Sequence, residues 1–132
     1  MSKHRAPMLA LALGFVSFAS QAESTAGLVK MGEYRGDVDA RNGDFAFLIT
    51  IDKVEGNTFS GTSHFYKATS ICRRPFPMIG VVTPEGRVLL DASKDLSLPT
   101  CGRTFDLKPS GAGFEGTLKG PQGQYNVTLT PR

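Results

Sequence analysis

The chain has 132 residues, with 15 lysines and arginines against 12 aspartates and glutamates and a formal net charge of +3. This length suits one domain with a modest core, and the charge is too nearly balanced for the dense basic surface of a nucleic-acid-binding protein. No apolar segment reaches the about 20 residues that a membrane-spanning helix requires. We therefore predict neither a nucleic-acid partner nor a membrane span.

The first 22 residues have the pattern of a secretory signal peptide. Lys3 and Arg5 form the basic start, an apolar stretch follows, and Ser20 and Ala22 are the small residues expected before the cleaved bond. We therefore predict cleavage after Ala22 and a periplasmic or secreted location. Removal of this leader leaves 13 basic and 12 acidic residues, so the mature chain is nearly neutral.

Residues 32–132 alternate apolar and polar side chains, which is the period of a β-strand, and no segment repeats with the period of a helix. We assign residues 23–31 to a flexible N-terminal segment and residues 32–132 to the folded domain. The predicted turns are Asn42-Gly43, Glu55-Gly56-Asn57, Thr83–Gly86, Pro109–Gly113 and Gly120–Gly123. The predicted strands cover residues 33–38, 44–54, 58–66, 77–82, 87–92, 104–108, 114–119 and 125–130.

Each predicted strand has one apolar face, and these faces are expected to share one core. The residues predicted to point inward are Tyr34, Gly36, Val38, Phe45, Phe47, Ile49, Ile51, Phe59, Gly61, Ser63, Phe65, Gly80, Phe105, Leu107, Phe114, Gly116, Leu118, Tyr125, Val127 and Leu129. Residues 68–77 do not follow this pattern, because Pro75 and Pro77 argue for an irregular loop or a sheet edge.

Short connections make neighbouring strands antiparallel. The strands can hide their apolar faces by closing into an up-and-down barrel, which removes the sheet edges, or by packing as a two-sheet sandwich. We predict an all-β fold, a single antiparallel barrel of about eight strands, with the sandwich as the alternative. Glycines at the inward positions Gly36, Gly61, Gly80 and Gly116 fit the tight bends of a small barrel.

The Gly32-Glu33-Tyr34 opening, followed by eight hairpin-linked strands, resembles the calycin barrels, meaning lipocalins and avidins. The chain is also similar to the small secreted metalloprotease-inhibitor barrels of bacteria, which carry a signal peptide and one disulfide. The resemblance implies an exported barrel that binds a ligand or inhibits a partner. Tyr34 stands where the calycins have Trp, and no functional residue is carried over from these families.

Cys72 and Cys101 are the only cysteines, so a single intramolecular pairing exists. Export places them in an oxidising compartment, and we predict a disulfide. The basic residues Lys67, Arg73 and Arg74 surround Cys72 without a nearby acid, and the disulfide would bring Arg103 to them. Arginine forks pair with carboxylate or phosphate, so this cluster is the candidate site for an anionic partner.

Catalytic and metal chemistry have little support in the sequence. His64 is the only histidine after the leader, and no Gly-x-Ser-x-Gly nucleophile elbow is present. We predict no catalytic residue, no metal and no cofactor. The unfavoured enzyme alternative is a hydrolase built on carboxylates such as Asp37 and Asp39 with His64.

We therefore expect a monomeric, non-enzymatic exported binding protein, of which an inhibitor is the sharpest form. Its loops would recognise an unidentified protein or an anionic component of the cell envelope or host. The alternative function is a carrier that holds a small apolar ligand inside the barrel. An eight-stranded barrel is just wide enough for one such ligand unless side chains fill it, and the many phenylalanines favour filling.

Overall fold

The computed structural model describes residues 27–39, 45–68, 70–94, 98–121 and 123–132, so the predicted signal peptide lies outside the described residues. Eight antiparallel strands pair in chain order, and the first pairs with the last to close a barrel. The strands are β1 (Gly32–Asp39), β2 (Phe45–Glu55), β3 (Thr58–His64), β4 (Pro75–Val82), β5 (Val88–Asp91), β6 (Thr104–Ser110), β7 (Gly113–Gly120) and β8 (Gly123–Pro131). The all-β barrel prediction is confirmed, and the sandwich alternative is wrong.

The barrel interior is filled by the side chains that the alternation placed inward. Phe47, Ile49, Met78 and Leu107 are almost completely buried. A void of about 10 Å³ remains among the core side chains. A void of this size holds at most about one water molecule. The interior is therefore a packed core.

Glycines at two inward positions make room for aromatic rings on the neighbouring strands. Gly36 pairs with Phe47, and Gly80 pairs with Phe59. A Cβ atom built on Gly36 would lie 2.1 Å from the Phe47 ring, and one on Gly80 would lie 2.2 Å from the Phe59 ring. Because even an alanine would collide with these rings, glycine is part of the core packing at both positions.

The strand boundaries around the two prolines differ from the prediction. β3 ends at His64, two residues before its predicted end, and β4 starts at Pro75, two residues before its predicted start at Pro77. Both prolines pair with β3, whereas β5 pairs with β4 only from Ile79 to Val82. The first half of β4, which contains both prolines, therefore has β3 on one side and no ladder partner in β5 on the other. Proline is tolerated at such an edge because no ladder hydrogen bond is lost.

Tyr125 lies on the inward face of β8, as predicted, because it pairs with the buried Leu118, but it is not part of the packed core. The side chain is 36% exposed, while Val127 and Leu129 on the same strand are buried. Tyr125 lies near the start of β8, where the strand enters the barrel. At this position the side chain is only partly covered.

The core begins before the first strand. Val29 is 6% exposed and belongs to the core, although residues 23–31 were assigned to the N-terminal segment. The Tyr34 hydroxyl donates to the carbonyl of Lys30 at 3.0 Å and fixes the entry of the chain into β1. A bulge at Asp52, where the β2–β3 register shifts between Ile51 and Lys53, was not predicted.

The two ends of the barrel differ. We call the end with the short connections after β2, β4 and β6, together with residues 27–31 and the C-terminus, the tight end. We call the opposite end, with the connections after β1, β3, β5 and β7, the loop end. The connections at residues 65–74 and 92–103 are the long ones, and all four predicted basic site residues lie at this loop end.

Candidate anion-binding cleft

A disulfide between Cys72 and Cys101 joins the two long connections of the loop end, as predicted. Each cysteine is the last residue of a short 3-10 turn, Ser70–Cys72 before β4 and Pro99–Cys101 before β6. Their Cα atoms are 5.4 Å apart, which is an ordinary separation for a disulfide. The bond therefore holds the connection that precedes β6 beside the start of β4, where β5 supplies no ladder partner.

Arg103 follows the disulfide by two residues and is fixed by two contacts. Its Nη1 donates to the carbonyl oxygen of Cys101 at 2.8 Å. Its guanidinium carbon lies 4.2 Å from the centre of the Phe65 ring, a cation-π contact. Phe65 in turn stacks on Phe47 at 4.5 Å between ring centres, so the core supports the cation from below.

The Arg103 guanidinium is half-buried, and this burial lowers its pKa from the ordinary value by desolvation. Arginine remains protonated at neutral pH in spite of such a shift. Among the described residues, no carboxylate lies within ion-pair distance of Arg103. The loop end therefore presents a fixed, partly desolvated positive charge.

Arg103 lines an open cleft of about 310 Å³ at the loop end. We call it the loop-end cleft. Its apolar lining includes Val38, Phe45 and Leu118, and Tyr125 and Pro121 also border it. Lys67 is the second charged residue among its described lining residues, and it is exposed. The cleft thus combines an apolar floor with two positive charges.

The predicted basic cluster is divided in the structure. Lys67 and Arg103 share the loop-end cleft, whereas Arg73 and Arg74 are not among its lining residues. The Nε of Arg73 donates to the carbonyl of Ala68 at 3.2 Å. The Arg74 guanidinium lies 5.2 Å from the Phe76 ring centre. Arg73 therefore contacts its own connection, and Arg74 contacts Phe76 at the start of β4.

Sequence reasoning missed Phe45 and Tyr125 as cleft residues. Both were assigned to the interior by the period of their strands, but each lies at or near the strand end that borders the loop end. Phe45 is half-buried and packs at 6.0 Å from Phe65. A position among the first residues of a strand that starts at the loop end is the signal that distinguishes such residues from core residues.

The carboxylates of the enzyme alternative do not meet His64 in the described residues. The His64 ring contacts the carbonyl of Arg73 at 3.3 Å, and Asp37 pairs with Arg35 at 3.4 Å. Asp37 and Asp39 line a separate depression on the outer face of β1, β7 and β8. In the part of the chain that the structure describes, no group of three or more His, Cys, Asp and Glu side chains is placed to hold a metal.

Comparison of the chain with protein-family models, with curated proteins and with solved structures gave no match. The structure agrees with the barrel architecture that the resemblance to calycin and inhibitor barrels implies. Within the described ranges, no helix has the length and apolar character to cross a membrane.

Proposed function

We propose that the protein is an exported, non-enzymatic binding protein that holds an anionic group of its partner in the loop-end cleft. Arg103 would be the principal contact, and Lys67 would add a second positive charge. The observation that carries the proposal is the fixed, half-buried guanidinium that opens into a cleft and has no carboxylate near it among the described residues. A desolvated charge is costly unless it is paired, and an incoming carboxylate or phosphate would pair it.

Because side chains fill the barrel interior, we propose that the ligand binds at the mouth of the barrel. The interior void of about 10 Å³ leaves no space for an apolar ligand among the described core residues. The loop-end cleft, at about 310 Å³, lies at the lower limit of the size of small-ligand sites, which is about 300 Å³. Arg73 and Arg74 border this region and would extend the positive field toward a macromolecular partner.

The exported location is part of the proposal. Disulfides persist in oxidising compartments, and the Cys72–Cys101 bond agrees with that setting. The pattern of residues 1–22 supports the same location. An inhibitor would use the same end of the barrel, because the long connections there are fixed by the disulfide and are thus prepared for contact with a partner.

A nuclear magnetic resonance titration tests the anion site directly. Sodium acetate and sodium phosphate are added in turn to the mature protein at constant ionic strength, and the arginine Nε–H signals are followed. We expect a saturable shift at Arg103. Arg35 and Arg132 serve as internal controls, because each already pairs with a carboxylate, at 3.4 Å and 3.3 Å respectively.

Arg103→Met is the matching variant, because it keeps an apolar side chain on Phe65 and removes the charge. It should abolish the saturable shifts of the cleft residues, whereas Arg35→Met should leave them unchanged. Saturation curves that are identical in wild type and Arg103→Met would refute the proposed function, as would shifts that are equal at all arginines.

A further inference from the structure

We infer that the loop-end cleft binds a small amphipathic monocarboxylate, meaning one carboxylate attached to a compact apolar body. This inference rests on the proposed function and names the chemical class of its ligand. The carboxylate would bind to Arg103, and the apolar body would cover Phe45 and Tyr125.

The lining of the cleft is unsuited to a bare anion. Val38 and Leu118 are core residues. Phe45 packs against the Phe65 ring, which also supports Arg103. A hydrated inorganic ion gains nothing from contact with this surface. A ligand with an apolar body gains free energy by removing from water the part of the lining that is still open, chiefly the half-buried Phe45 and the partly exposed Tyr125.

The charges of the cleft suit one carboxylate. Arg103 is the half-buried cation, and Lys67 is exposed at the margin. The nearby Arg73 is not among the lining residues of the cleft, and its Nε donates to the carbonyl of Ala68. A guanidinium fork matches a single carboxylate, whereas a group with several charges would leave some of them unpaired over an apolar surface, which is costly.

The size of the cleft restricts the apolar body. A volume of about 310 Å³ has room for roughly ten groups the size of a water molecule. The packed core below the cleft prevents deeper entry. A carboxylate with a body of a few carbon atoms fits this space, and two sources can supply it: a free short-chain acid, or the C-terminal carboxylate of a peptide that ends in an apolar residue.

Five probes separate these possibilities in the titration of the mature protein at constant pH and ionic strength. They are acetate, hexanoate, hexanamide, N-acetylleucine and inorganic phosphate. Each fully buried methylene strengthens binding about fourfold, so hexanoate should bind at least about tenfold more tightly than acetate even if its body is only partly buried. Hexanamide has the same body without the charge and should bind at least about tenfold more weakly than hexanoate.

N-acetylleucine distinguishes the two sources of the carboxylate. Tighter binding of hexanoate would identify a free acid, and tighter binding of N-acetylleucine would identify a peptide C-terminus. Both results support the inference. Contacts between protons of the bound probe and those of Phe45 and Tyr125, seen as intermolecular nuclear Overhauser effects, are expected in either case and require no variant.

The outcomes that overturn the inference differ from those that overturn the proposed function. The amphipathic ligand would be refuted if acetate bound as tightly as hexanoate, or if phosphate bound more tightly than hexanoate. If Arg103→Met also abolished that binding, the anion site itself would stand. Equal binding of hexanamide and hexanoate would refute the role of the charge, and with it the proposed function. No saturable shift with any probe would refute both.

Discussion

The two ends of the barrel are closed in different ways although the same eight strands reach both. At the tight end, backbone hydrogen bonds and an apolar residue close the fold: Val29 packs into the core, and the backbone N–H of Arg132 donates to the carbonyl of Glu33 at 3.0 Å. At the loop end, a disulfide and an arginine occupy the corresponding place. The tight end covers the core with a valine, whereas the loop end covers it with a charged residue.

This difference between the two ends indicates that the functional site lies at the loop end. Short hairpins satisfy their own backbone groups and leave little surface with special chemistry. Long connections must be held by other contacts. Here the Cys72–Cys101 disulfide joins them, the Arg103 guanidinium is fixed on the Phe65 ring, and the loop-end cleft lies beside it. The predictions below test whether the loop end is as firmly built as the tight end.

The largest effect should come from removal of aromatic side chains in the core. Phe47 stacks on Phe65 toward the loop end, and Phe114 lies 5.9 Å from Tyr34 toward the tight end. Phe47→Ala and Phe114→Ala should each lower the free energy of unfolding by about 3–5 kcal/mol, measured by urea denaturation. Similar losses indicate one continuous core, whereas a much smaller loss for Phe47→Ala would show that the loop end is loosely packed.

Glu115→Ala is the matched control for Phe114→Ala. Its side chain points to the outer face, where it pairs with Lys108 at 3.8 Å. Exposed pairs of this kind contribute about 0–1 kcal/mol. A loss for Glu115→Ala as large as that for Phe114→Ala would contradict the assignment of inward and outward faces on β7.

Removal of the disulfide should have the next largest effect and should act on one end only. The bond closes a loop with a sequence separation of 29 residues, for which the chain-entropy model gives about 3–4 kcal/mol. In the double variant Cys72→Ser, Cys101→Ser, we expect that loss together with faster amide hydrogen exchange in residues 65–74 and 92–103. Protection of the tight-end hairpins should persist under native conditions. A uniform rise in exchange over the whole barrel would refute the independence of the two ends.

Turn glycines of the tight end should matter less than the disulfide. Gly86 has a φ of 84° and Gly111 a φ of 57°, both in the left-handed region that side chains disfavour. Gly86→Ala and Gly111→Ala should each cost about 1–2 kcal/mol in urea denaturation, with anion binding at the loop end unchanged. Gly27→Ala is the control, because a Cβ atom meets nothing within 4 Å at all three positions but Gly27 does not have a left-handed φ. A change in anion affinity caused by either turn variant would show that the ends are coupled.

Much of the barrel could be predicted from the sequence because alternation and turn chemistry are local properties. The alternation located the buried faces of β1, β2, β6 and β7, and the turns at Gly56, Gly86 and Gly111 were found from residue types alone. For Pro75 and Pro77 the sequence left an irregular loop and a sheet edge open, and the structure shows the edge, because the tolerance of a proline depends on whether a neighbouring strand reaches it. That depends on the length of β5, which is not a local property of the proline segment.

The candidate site could be predicted only in part for the same reason. The two cysteines and the spacing of Arg103 from Cys101 indicated a disulfide and a nearby charge. The contact of Arg103 with Phe65 joins residues far apart in the chain, and no spacing rule indicates it. The cleft was missed because Phe45 and Tyr125 follow the core period and leave the core only where their strands reach the loop end.

The smallest predicted effect concerns Asp91, which lies at the end of β5 where the chain enters the loop end. Its carboxylate accepts hydrogen bonds from the hydroxyl and the backbone N–H of Ser93, and Lys94 lies 3.6 Å away. These contacts, chiefly that of the Ser93 hydroxyl, lower the pKa of Asp91 below its ordinary value. The ionised form is therefore favoured in the folded protein.

Because the pKa of Asp91 is lowered in the folded protein, its carboxylate stabilises the fold at the higher pH and not in acid. The stabilisation from Asp91 is complete above the pKa of an unfolded aspartate, about 3.9, and it is lost as the pH falls through the lower folded value. Asp91→Asn should therefore be less stable than wild type at neutral pH by at most about 1 kcal/mol, and the difference should shrink and vanish as the pH falls and the folded carboxyl is protonated. Urea midpoints of wild type, Asp91→Asn and the exposed control Asp52→Asn from neutral pH into acid measure this difference. If the urea midpoints of wild type and Asp91→Asn stay equally far apart at every pH, the ionised carboxylate of Asp91 does not anchor the loop end through Ser93. The disulfide would then be the main attachment of the connection that follows β5.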